Sequence, residues 1–200
     1  IETAKKTIVP GVIYTDLDEC GIYSFPKSLG KARQRLTQPP TLPVNTQRDA
    51  LPEGKTGSFC KDEKYPVYSG PSESYYRAAN GKASVSTNDW IQVFGCENDM
   101  VLIQYAISSE KSRFGYIPAE AVQDRSQLEV LEPAYLPASV SKACGLTDDP
   151  LKTKGEIARL KDGEDVRYLA TFGSEWTYVE TLTEPPMRGF VPSESIMISE

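Results

Sequence analysis

Between residues 57 and 200, apolar and polar positions alternate in short runs separated by clusters of Gly, Pro, Asn and Asp. Period-two alternation with aromatic and β-branched residues is the signature of strands. Tyr65, Val67 and Ser69 alternate with Pro66, Tyr68 and Gly70, which predicts a strand. Pro66 has no backbone donor and places that strand at an edge or a strand start. Ser69-Gly70-Pro71-Ser72 predicts a turn, and an extended arm carrying Tyr75 and Tyr76 follows. Residues 90–94 predict another strand, 95–99 a hairpin turn and 100–105 the returning strand. That return is apolar on both faces and belongs in the middle of a sheet. Residues 108–113 read as a polar loop.

The plan then recurs. Residues 160–164 predict a turn, 165–169 a strand and 176–180 its return. Phe172-Gly173-Ser174-Glu175 matches Phe94-Gly95-Cys96-Glu97. Gly189-Phe190-Val191-Pro192-Ser193-Glu194-Ser195-Ile196 matches Gly115-Tyr116-Ile117-Pro118-Ala119-Glu120-Ala121-Val122. Cys144 precedes Pro150 by the spacing at which Cys60 precedes Pro66. Two copies of such length predict two tandem domains rather than a solenoid. The expected division is an extended, mostly irregular N-terminal segment (1–56), a first barrel (57–132) and a second barrel (133–200). In the leader, residues 7–14 suggest a short strand, 27–36 a helical turn or two, and 38–44 a polyproline-prone stretch.

Charge follows the same division. Residues 1–56 carry 8 basic and 6 acidic side chains, and each following segment carries 7 and 11, which together give the net charge of −6. That balance, with no basic cluster carrying aromatics, speaks against a nucleic-acid partner. The chain has no His, which removes the Ser-His-Asp and Cys-His nucleophile systems and the commonest metal ligand. No cofactor is expected, and no apolar run is long enough to span a membrane. The chain begins at Ile1 and not at Met, so an upstream segment is expected to have been cut off or left out, and a removed export signal or anchor would fit. Cys20, Cys60, Cys96 and Cys144 lack the spacing of a zinc or thioredoxin site. They are candidate disulfide cysteines with the pairing open, and reduced thiols are the alternative. The acidic pairs Asp62-Glu63, Asp148-Asp149 and 162–165 are expected to be solvated turn acids. Asp16-Leu17-Asp18-Glu19 lacks the Gly and distal Glu of a calcium loop. Trp90 and Trp176 are expected in cores or at barrel ends.

The opening Tyr68-Ser69-Gly70-Pro71-Ser72-Glu73-Ser74-Tyr75 and the closings Gly115-Tyr116-Ile117 and Gly189-Phe190-Val191 resemble the bacterial Src-homology-3 domain family. The resemblance covers most of the chain outside the leader. It implies an all-β fold of two tandem small SH3-like barrels, in an exported or surface-anchored bacterial protein. It implies a non-catalytic module contacting cell-wall peptide, peptidoglycan or a protein ligand. Pro118 and Pro192 keep the proline of the eukaryotic closing motif, but Ala121 and Ser195 replace its groove tyrosine, which speaks against proline-rich ligands. The expected contact residues are Tyr75, Tyr76 and Tyr116 in the first barrel and Trp176 and Phe190 in the second, with nearby acids selecting basic ligands. The alternative is a structural spacer or regulatory module for a domain upstream of Ile1.

Overall fold

The strand that the sequence makes apolar on both faces does lie mid-sheet, paired along both of its edges. The computed structural model describes residues 50–77 and 83–199, all within one compact unit. In chain order the first strands are β1 (Lys55–Thr56), β2 (Lys64–Pro66) and β3 (Ser84–Ser86). The meander β4 (Ile91–Glu97), β5 (Met100–Ser108) and β6 (Lys111–Pro118) follows. The sheet runs β1-β4-β5-β6, and β2 and β3 form a separate hairpin. Val101, Leu102 and Ile103 of β5 are completely buried. The expected polar loop at 108–113 is mostly strand, because β5 and β6 continue pairing out to Ser108 and Lys111.

The second half contains β7 (Leu136–Val140), β8 (Cys144–Thr147), β9 (Glu156–Leu160), β10 (Asp165–Phe172), β11 (Trp176–Thr181), β12 (Arg188–Pro192) and β13 (Ile196–Ile198). They form one sheet in the order β13-β7-β10-β11-β12-β8-β9. The fold is all-β, and the described residues contain no α-helix, only short 3-10 turns at Ala119–Ala121, Arg125–Gln127 and Ser193–Ser195. The expectations for residues 1–49, including Cys20, the polyproline stretch and the acidic cluster at 16–19, lie outside the described residues. No helix among the described residues is long and apolar enough to cross a membrane.

The strand registers make the two meanders equivalent position by position. Met100 faces Pro118 as Trp176 faces Pro192, and Leu102 faces Gly95 as Tyr178 faces Ala170. Both opening strands bulge at the same place, at Phe94 and at Leu169. Pro118 (φ −55, ψ 136) and Pro192 (φ −57, ψ 131) each lead into a 3-10 turn, so the closing stretches correspond as the sequence predicts. Two other matches shift. The first hairpin turns at Asn98-Asp99 and the second at Gly173-Ser174-Glu175, one residue longer. Phe94 therefore corresponds to Leu169 rather than Phe172. Tyr68 bridges Tyr116 where Thr147 pairs with Phe190, so Pro71, not Pro66, is the counterpart of Pro150.

The closing glycines follow from this crossing. A Cβ on Gly115 would strike the Val67 side chain and sit 3.0 Å from the Tyr68 carbonyl oxygen. One on Gly189 would sit 2.8 Å from the Thr147 carbonyl oxygen. Only a residue without Cβ lets the two strands approach this closely.

Each half has its own apolar cluster. Val67, Val85, Val93, Ile103 and Ile117 build the first, and their equivalents Leu146, Leu160, Tyr168, Val179 and Val191 build the second. A third cluster lies between the halves and takes the opposite sheet face from both: Phe94, Leu102 and Tyr116 meet Leu169, Tyr178 and Phe190. The chain segments leading into the halves cross over. The Leu51 amide donates to the Thr171 carbonyl (2.9 Å), and the Leu131 amide donates to the carbonyl of Cys96, the equivalent residue (2.8 Å). The joint is therefore nearly two-fold, with each leading segment laid on the opposite half.

Candidate functional site: an arginine cage at the joint

Arg188 opens β12 two positions before Phe190, so the strand pleat points both into the apolar joint. Its side chain has no exposed surface. Burying a guanidinium without partners is prohibitive, and each of its nitrogens is satisfied. Nε donates to Glu180 at 2.8 Å. Nη1 donates to Glu97 at 2.7 Å and Nη2 donates to the other oxygen of Glu97 at 3.1 Å, a fork-on-fork pair. Nη1 also donates to the Tyr116 hydroxyl (3.1 Å) and Nη2 to the Tyr135 hydroxyl (2.6 Å). The rings of Tyr75, Tyr135 and Tyr116 stand 5.3, 5.5 and 5.7 Å from the guanidinium carbon, within cation–π range.

The carboxylates bind the cage together. Glu97 is the last residue of β4 and accepts from Tyr135 (2.5 Å) and Tyr116 (3.0 Å). Glu180 on β11 accepts from Tyr75 (2.7 Å) and from the half-exposed Arg167 (2.9 Å). Two arginines and two glutamates leave the cluster neutral. Burial opposes the charge on Arg188, but Tyr116 and Glu97 outweigh it and push its pKa up. Burial would raise Glu180, yet hydrogen bonds from Tyr75 and Arg188 hold it below the usual carboxylate range. Burial and the bond to Glu97 push Tyr135 up to about 12.

The expected contact residues converge here, but not as an open face. Tyr116 and Phe190 are buried in the joint, because each half covers the other's aromatic face. Tyr75 is half-buried as a cage wall, and Trp176 packs at the edge of the shared cluster with Lys154 5.5 Å above its ring. The Tyr76 amide donates to the Pro186 carbonyl across the joint (2.9 Å). Trp90, expected in a core or at a barrel end, lies outside the cores and is 50% exposed, just before β4. No bridge joins Cys60, Cys96 and Cys144, which are free thiols. Cys144 lies within the second-half core, whereas the Cys96 thiol donates to the nearby Asn98 carbonyl.

Arg188, Glu97, Glu180 and Tyr135 escaped the sequence reading. Their signal was a charged residue at an inward position of an alternating strand: Arg188 beside Phe190 and Glu180 beside Tyr178. The pair Asp148-Asp149 is also not a solvated turn. Both are buried, because the turn docks on the start of β6. The Phe114 amide donates to the Asp148 carbonyl (2.7 Å). Asp149 accepts from the Ser112 hydroxyl (2.9 Å) and the Thr153 hydroxyl (2.6 Å). Arg113 lies 3.4 Å from the Asp148 carboxylate, yet burial dominates and lifts Asp148 to about 6.

Two cavities are lined by the segments leading into the halves. One of about 180 Å³ lies on the seam between Leu51, Leu131, Tyr116 and Tyr178. The other, about 350 Å³, opens on the first half between residues 55–58 and Leu128-Glu129. The described residues contain no cluster of His, Cys, Asp and Glu arranged to hold a metal.

No family model matches the chain, and no curated protein does. Among solved structures, NlpC2 from Trichomonas vaginalis matches 74% of this chain and 49% of its own, at 11% identity and a TM-score of 0.31. The chain thus spans about half the length of that structure, and a likeness this slight bears no weight on function.

Proposed function

We propose that this chain contains a non-catalytic positioning module: two tandem SH3-like barrels locked face to face so that the chain entering at residue 50 and leaving at residue 199 holds a fixed mutual orientation. The observation that carries this reading is Arg188, fully buried and ligated at once by Glu97 of one half and Glu180 of the other. The aromatic faces that would serve as open contact surfaces are spent on the joint. The family resemblance supports placing the module in an exported or surface-anchored bacterial protein.

A second reading rests on the groove of about 350 Å³ on the first half. There the barrel pair would hold a cell-wall peptide or a protein segment. Co-sedimentation with purified bacterial cell wall separates the two. The positioning reading predicts that the chain stays in the supernatant. Retention on the wall that disappears with Leu128→Glu, in the groove, would replace it with the binding reading.

A further inference from the structure

We propose that Tyr75, Tyr116, Tyr135 and Glu97 form a site selective for a guanidinium over other cations, which the chain fills with its own Arg188. The inference rests on the locked joint but goes beyond it, because a joint needs only burial, whereas this one is built for a particular ion.

The selectivity is in the geometry. Glu97 meets the two terminal nitrogens with one oxygen each, a match that a planar fork makes and an ammonium does not. Tyr116 and Tyr135 accept further bonds from those same nitrogens while donating to Glu97. The hydroxyls therefore fix the carboxylate in the orientation the guanidinium requires. Three aromatic faces complete the enclosure.

The equivalent position on the other side of the near two-fold shows what the joint looks like without this site. Phe114 corresponds to Arg188 and Phe172 to Glu97 by strand register. There the same contact is two rings at 5.4 Å. An apolar pair therefore closes one side, and the ion pair on the other is not required for packing alone.

The outer wall is the exposed part of the cage. Tyr135 is 44% exposed, sits in the segment joining the halves and holds a left-handed φ of 50°, which costs a non-glycine residue energy. Tyr75 stands on the arm after Ser72 and is half-buried.

The test is chemical rescue of the full chain. Arg188→Ala empties the site and leaves Glu97 uncompensated. Ethylguanidinium at millimolar concentration is expected to give this variant a saturable rise in Tm of several degrees. Propylammonium and urea, which lack the charged fork, are expected to give none, and wild type is expected to show no rise with any of the three. Adding Glu97→Gln to Arg188→Ala is expected to abolish the rescue. If Arg188→Ala does not fold alone, refolding yield with each probe gives the same readout. A response equal for ethylguanidinium and propylammonium, or no saturable response, overturns the proposal. A joint that stays rigid in wild type would survive that result, so the two readings fail separately.

Discussion

At Arg188 the energetics are asymmetric. A buried ion pair adds little over a well-packed apolar pair, but removing one partner strands the other. Arg188→Met is expected to cost about 3–5 kcal/mol in denaturant unfolding. Arg188→Met with Glu97→Leu is expected to recover most of that loss, since Glu180 keeps Arg167. A double variant as unstable as the single one would show that the cage contributes through shape rather than charge. Asp148 behaves in the opposite sense to most carboxylates. Its pKa rises from 3.8 to about 6 on folding, so the folded state holds the proton more tightly than the unfolded chain. The resulting penalty is complete above about pH 6 and fades as pH falls toward about 4. Glu180 and Asp149 are shifted down, so their contribution is lost in more acid solution. Tm is therefore expected to climb from pH 7 to about pH 5 and then drop. Asp148→Asn is expected to be more stable than wild type at pH 7, by up to about 3 kcal/mol, with the climb gone. A wild-type Tm that falls steadily from pH 7 downward would contradict this assignment.

Among the elements, the meanders show what sequence alternation reveals and what it misses. The doubly apolar pattern of β5 located its central place, and the Gly-aromatic-aliphatic-Pro closings located β6 and β12. Hairpin lengths were not legible, because Phe94-Gly95 and Phe172-Gly173 look alike. Gly95 lies in extended backbone beside a bulge, whereas Gly173 takes a turn φ of +60. Strand pairing, which connects residues far apart in the chain, decides between those roles. The closing glycines have a sharper consequence. Gly115→Ala and Gly189→Ala each force a methyl against a crossing strand and are expected to destabilise by about 1–3 kcal/mol. Gly155→Ala, whose Cβ would meet only Thr153 Oγ1 at 3.6 Å, is expected to change stability by less than about 0.5 kcal/mol. Equal effects at Gly115 and Gly155 would remove the close-approach explanation.

For the whole molecule, the decisive feature is the cluster between the halves, and the sequence concealed it. Two similar runs of alternation do not say whether their outward aromatics face water or each other. Tyr116 and Phe190 were legible as surface aromatics, and they are buried in the cluster where the two halves meet. The crossed segments at Leu51 and Leu131 and the shared guanidinium of Arg188 make independent motion of the halves costly. Residual dipolar couplings of backbone amides test this most directly. A rigid joint predicts that couplings from residues 91–118 and from 165–192 fit one alignment tensor in wild type. Two tensors of clearly different magnitude or orientation would show that the halves move freely and that the joint described here does not hold them.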